Sequence, residues 1–98
     1  MRPEEEILVP RDQLPLPRPY VAPRTETERR LAEIWRSVLS MDRVGVQDNY
    51  HDLGGDSLHA GVIFSRIRDA FLVELPVATL VDAPAIEQLA RLIDRPAA

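Results

Sequence analysis

The sequence contains no cysteine, so neither a disulfide nor a thiolate centre can hold the fold or supply its chemistry. That absence fits a reducing cytoplasm. No apolar run approaches membrane-spanning length, and no basic-then-apolar stretch of the secretory kind opens the chain. A membrane is therefore not an expected partner. Basic charge is also short. Residues 1–24 carry four arginines and four acids, and the rest carry eight arginines and twelve acids. The whole net charge of −4 thus sits on residues 25–98. A mildly acidic unit is a poor nucleic-acid binder and suits a basic enzyme surface.

Proline is plentiful but badly spread: six of the nine lie before Arg24. Pro10, Pro15, Pro17, Pro19 and Pro23 remove backbone donors and bias their neighbours to extended geometry. No helical or alternating pattern survives among them. Residues 1–24 read as a flexible linker, dispensable for folding, and residues 25–95 as one small domain.

Within that domain, Thr25 and Glu28 form a capping-box pair that opens a helix. Leu31, Ile34, Trp35, Val38 and Leu39 then fall on one apolar stripe, which makes Trp35 a core residue. From Ser40 to Asp56 no helical period is sustained. Val44 and Val46 alternate around Gly45 and should tuck beneath a long ordered loop, of the kind that usually carries function. A second helix should run from about Ser57 to Phe71. Its core face would hold Ala60, Ile63, Ile67, Ala70 and Phe71, with Phe64 at the edge. Leu58 and Val62 fall on the opposite face with Ser65 and Asp69, which marks a contact surface. Val77–Val81 allow a short helix, and a last one should begin near Pro84, bury Ile86, Leu89, Ala90 and Ile93, and stop at Asp94-Arg95-Pro96. The fold class is all-α: a small four-helix bundle with three long helices and one short one.

The loop ends on Leu53-Gly54-Gly55-Asp56-Ser57-Leu58. Paired glycines permit a tight positive-φ turn, and Asp56 and Ser57 are both good helix-cap residues. A serine hydroxyl results at a loop tip, at the positive end of a helix, where an anion such as phosphate is favoured. On the four residues Gly54–Ser57 alone, ordinary capping is the favoured explanation. Catalysis by Ser57 is not expected: a nucleophile elbow needs glycine two residues on, where His59 stands. His59 lies about 200° around the helix from Ser57, and nothing is placed to orient His51. A calcium loop starting at Asp48 would need glycine at position 53, which is leucine, and two histidines without cysteine make no zinc site. No metal site and no catalytic residue is expected.

Taken with Asp48 before it and Ser65-Arg66-Ile67-Arg68 after it, this stretch resembles the attachment signature of phosphopantetheine carrier domains. The resemblance covers about residues 20–94 and is nearest the peptidyl carrier (thiolation) domains of non-ribosomal peptide synthetases. Asp48, Leu53, Gly54, Gly55, Asp56, Ser57 and Leu58 fit the pattern. Tyr50 and His51 stand where it has two aromatics, and Leu72 where glycine is frequent. The Gly-Lys motif that closes an adenylation domain is missing upstream. The resemblance implies a monomeric carrier with 4'-phosphopantetheine on Ser57 and with Gly55, Asp56 and Leu58 around it. It implies aminoacyl, aryl or peptidyl thioesters as cargo. It implies a phosphopantetheinyl transferase and adenylation, condensation or other synthetase domains as partners, met through Leu58 and Val62. Two alternatives stand beside it: an acyl carrier of a polyketide or hybrid pathway, and an unmodified helical interaction module. The Gly-Gly pair, the modest acidity and Arg66 and Arg68 weigh against the acyl carrier.

Overall fold

The computed structural model describes residues 7–95, which fold into four helices. In chain order they are α1 (Glu26–Leu39), α2 (Ser57–Phe71), α3 (Thr79–Asp82) and α4 (Ile86–Ile93). Among the described residues there is no strand, only an isolated parallel bridge between Val9 and Met41. None of these helices is long and apolar enough to cross a membrane.

Helix α1 begins where its cap dictates: the Thr25 hydroxyl accepts the Glu28 N–H at 3.1 Å. The Glu28 carboxylate, the other member of the pair, accepts the Arg24 N–H at 2.8 Å together with the Arg24 guanidinium. That guanidinium also reaches Glu87 at 3.0 Å, tying the start of α1 to α4. Helix α1 packs on both α2 and α4, and its stripe puts Leu31 and Trp35 at the centre. Ala60, Ile63, Phe64 and Ile67 from α2, Leu80 from α3, and Ile86, Leu89 and Ala90 from α4 close around them. Phe64 is thus core, while Ala70 and Phe71 are only partly buried. Val44 and Val46 lie beneath the loop as expected.

Helix α4 starts later than its sequence suggests, at Ile86. Pro84 stays outside because its carbonyl accepts the Tyr50 N–H at 2.8 Å, and the Gln88 side chain caps Ala85 N–H instead. Pro96, expected as part of the stop signal, lies outside the described residues.

The proline-rich segment is the larger correction. Residues 7–24 were expected to be free, yet residues 9–21 lie along the bundle as a strap. Val9 exchanges backbone hydrogen bonds with Ser40 and Asp42, and Val46 N–H donates to Val21. Leu14, Leu16 and Val21 pack against the core, and Arg11–Gln13 form one 3₁₀ turn. Arg11 and Asp48 make an ion pair with both residues at most 6% exposed. Proline density removed the periodic signal but did not prevent docking, because the anchors are single side chains. The remainder of that expectation, residues 1–6, lies outside the described residues.

Two helices end in the left-handed region, at Ser40 (φ 55°) and Leu72 (φ 57°). Glycine adopts this conformation freely, whereas a side chain is strained there. Leu72 is 87% exposed, so its side chain gains little in exchange. Leu72→Gly should therefore raise stability by about 0.5–1 kcal/mol, the relief being partly offset by glycine's unfolded-state entropy. A rise in the urea midpoint with unchanged slope is the expected reading; a fall would contradict it.

Candidate functional site: a serine presented on a glycine turn

The site is built upward from Tyr50. Its ring is buried edge-on against Trp35, with centroids 5.3 Å apart at 77°. Its hydroxyl donates to the Asp56 carbonyl at 2.7 Å, and its own carbonyl accepts N–H groups from Leu53 and Gly55 at 3.2 Å. One residue, through its side chain and its backbone carbonyl, thus fixes both ends of the turn that leads into α2. The two glycines serve different needs. Gly54 has φ 85° with open space around it, so its requirement is conformational. Gly55 passes so close over the Tyr50 ring that an added Cβ would coincide with the ring atoms. Its requirement is close approach.

Asp56 caps α2, its carboxylate accepting the His59 N–H at 2.8 Å, and its carbonyl accepts Ala60 N–H. The His59 N–H is the main cause holding the Asp56 carboxyl below the usual carboxylate range. The His59 ring nitrogen Nδ1 lies 3.0 Å from the same carboxylate. The Asp56 carboxylate thus serves as the helix cap that its place in the sequence suggests. Ser57 is the first residue of α2, directly after the cap. It is exposed, and no hydrogen bond holds its hydroxyl among the described residues.

A mostly apolar cleft of about 300 Å³ opens beside Ser57. Tyr50, His51, Asp56 and Ala60 line one side, and Val77, Ala78, Leu80 and Val81 of the α3 region line the other. An exposed, uncommitted hydroxyl beside an apolar cleft can accept a long flexible arm without displacing any packed group. His51 faces this cleft and packs edge-on against Tyr50, which is where the departure from two aromatics is absorbed. Leu58 is 78% and Val62 41% exposed, as their place on α2 suggested. Val77 and Val81 were missed as surface residues, although both are exposed. A four-residue helix is too short for periodicity to reveal its outer face; the signal available was two valines four apart beside a proline. No three His, Asp or Glu side chains among the described residues are placed to hold a metal.

Comparison with known proteins gives the class. Residues 29–93 match the family described as Phosphopantetheine attachment site. Tyrocidine synthase 3 of Brevibacillus parabrevis is 45% identical over 76 residues, 78% of this chain and 1% of that protein. The chain spans only about 1–2% of the length of this and similar curated relatives. A solution structure described as a prototype for the peptidyl carrier domains of modular peptide synthetases is 38% identical, with a TM-score of 0.70. The match covers 78% of this chain and 100% of that one. A peptidyl carrier protein solved with the phosphopantetheine transferase Sfp and coenzyme A is 38% identical, with a TM-score of 0.73. That match covers 76% of this chain and 96% of the other. The chain belongs to the phosphopantetheine-attachment family, and within it to the peptidyl carrier domains. Such domains carry a covalently attached phosphopantetheine and are not themselves catalysts.

The two glycines can be told apart experimentally. Gly55→Ala forces Tyr50 or the turn to move and should cost about 1–3 kcal/mol. Gly54→Ala meets only backbone strain and should cost about 1 kcal/mol. Urea denaturation of both variants, with near-ultraviolet dichroism to report on Trp35 and Tyr50, checks the order; equal costs would contradict it.

Proposed function

We propose that Ser57 is the residue that bears the phosphopantetheine, and that the domain serves a non-ribosomal peptide synthetase. The observation that carries the reading is the uncommitted, exposed Ser57 hydroxyl on the Gly54-Gly55 turn, within the matched residues 29–93. The pyrophosphate P–O bond of coenzyme A breaks, adenosine 3',5'-bisphosphate leaves, and the hydroxyl oxygen forms a phosphodiester at the pantetheine-side phosphorus. Its proton passes to the transferase, because no side chain of this domain hydrogen-bonds the hydroxyl. When bound, the arm supplies a terminal thiol that holds an aminoacyl, aryl or peptidyl group as a thioester reactive towards amines. The domain's own task is geometric. It keeps the attachment point rigid on α2 and raises the cargo's effective concentration at each partner site.

Gly55 keeps the backbone low over Tyr50, and Asp56 leaves one carboxylate at the rim for a cationic group of the transferase. Leu58 and Val62 are offered to modifying and loading enzymes, with adenylation and condensation domains as the further partners. Acting as a monomer in the cytoplasm suits a unit with this charge and no cysteine.

Incubation with coenzyme A and a broad-specificity transferase should add one phosphopantetheine by intact mass, and Ser57→Ala should abolish it with helical content unchanged. Modification that persists in Ser57→Ala would refute the assignment. Loading of the arm by adenylating enzymes, against acyltransferases, separates peptide from polyketide use. A Leu58→Ala, Val62→Ala double variant should lose no more than about 1 kcal/mol of stability, as exposed positions do. It should nonetheless be modified more slowly. Strong destabilisation with normal kinetics would move the contact face elsewhere.

A further inference from the structure

The strap does more than cover apolar surface, because its one buried charge ends on the loop that carries Ser57. Arg11 donates from Nε to Asp48 Oδ2 at 2.7 Å and from Nη2 to Asp48 Oδ1 at 2.6 Å. Nη2 also reaches the Arg18 carbonyl at 3.0 Å, and the Arg11 N–H donates to Asp42 Oδ1 at 2.8 Å. The guanidinium faces the Tyr20 ring, which Arg43 covers at 4.1 Å. Three separate partners, Asp48, the Arg18 carbonyl and the Tyr20 ring, leave this side chain a single orientation. On the loop side, the same Asp48 Oδ2 accepts the Gly45 N–H at 2.8 Å. Asp48 is therefore gripped from the strap and from its own loop at once. Two residues on comes Tyr50, whose hydroxyl and carbonyl hold the turn into Ser57.

We infer that Arg11 is a positioning residue for Ser57: through Asp48 it locks the 45–55 loop in the shape that presents the hydroxyl for modification. The inference rests on Ser57 as the attachment residue. It makes the strap part of the functional unit. The planar fork of arginine matters as much as its charge. A lysine would keep the positive charge but could not span both Asp48 oxygens and the Arg18 carbonyl.

The test uses the full chain with coenzyme A and a phosphopantetheinyl transferase, measuring kcat and KM for the carrier, urea midpoints, and amide exchange at Gly54 and Gly55. Arg11→Lys should stay folded and lose about five- to tenfold in kcat/KM, mainly through KM, with exchange at the two glycines accelerated more than in α1 or α4. A second variant, Arg11→Gln with Asp48→Asn, removes both charges and leaves no unpaired ion in the interior. It should show the same kinetic loss as Arg11→Gln alone, because the two residues act as one device. Unchanged kcat/KM in Arg11→Lys and in the double variant would overturn the inference. So would glycine exchange that merely follows global stability. A wild type that takes up no phosphopantetheine would instead overturn the reading of Ser57, while the exchange data would still decide whether Arg11 holds the turn.

Discussion

A phenol ring lying directly beneath a backbone segment imposes a demand that only glycine can meet. Tyr50 sits against Trp35 at the centre of the bundle, and the chain crosses its other side at Gly55. That contact carries the rigidity of the core to the surface in one side chain. The hydroxyl of Tyr50 then ends on the carbonyl of Asp56, one residue before Ser57. Burial holds the Tyr50 phenol above its ordinary range, with the nearby Asp56 charge adding to it, so the donor proton stays in place across the physiological range. Ser57 is consequently fixed from below by packing, and its outer side is left free.

The buried Arg11–Asp48 pair follows a different logic. An ion pair of this kind contributes little net stability once desolvation is counted, but removing one partner typically costs about 3–5 kcal/mol because the other is stranded. Its value here lies in specificity of arrangement. Asp48 has one oxygen committed to its own loop and both committed to the strap, so neither segment can slide without breaking the other's contacts. The hydrogen bonds it donates to Asp48 hold the Arg11 guanidinium still more firmly protonated.

Helices with a local logic were legible in the residues. The Thr25 cap, the α1 stripe and the limits of α2 follow from spacings of three and four, and the outward placement of Leu58 and Val62 follows from the same geometry. The Gly54–Ser57 turn was legible because its glycines, acid and serine are contiguous. What escaped depends on groups far apart in the chain. Arg11 meets Asp48 across 37 positions, and nothing in a proline-rich stretch announces one arginine as an anchor. Pro84 looked like a first helical residue until its carbonyl proved to be taken by Tyr50. Leu72 reads as helix-compatible, yet its place past α2 requires the backbone of a glycine.

A tether reaches only as far as its free residues allow. Residues 9–24 fully extended would span about 50 Å, and as an unattached spacer they would let the domain range over a wide volume. Docked on the bundle they contribute almost none of that span. Any chain that precedes Val9 meets the domain beside Met41, at the end of α1, and is committed there. The orientation of the domain relative to such a chain is then set by a bonded junction. Reorienting the domain against such a chain therefore requires breaking this junction, which means peeling the strap away.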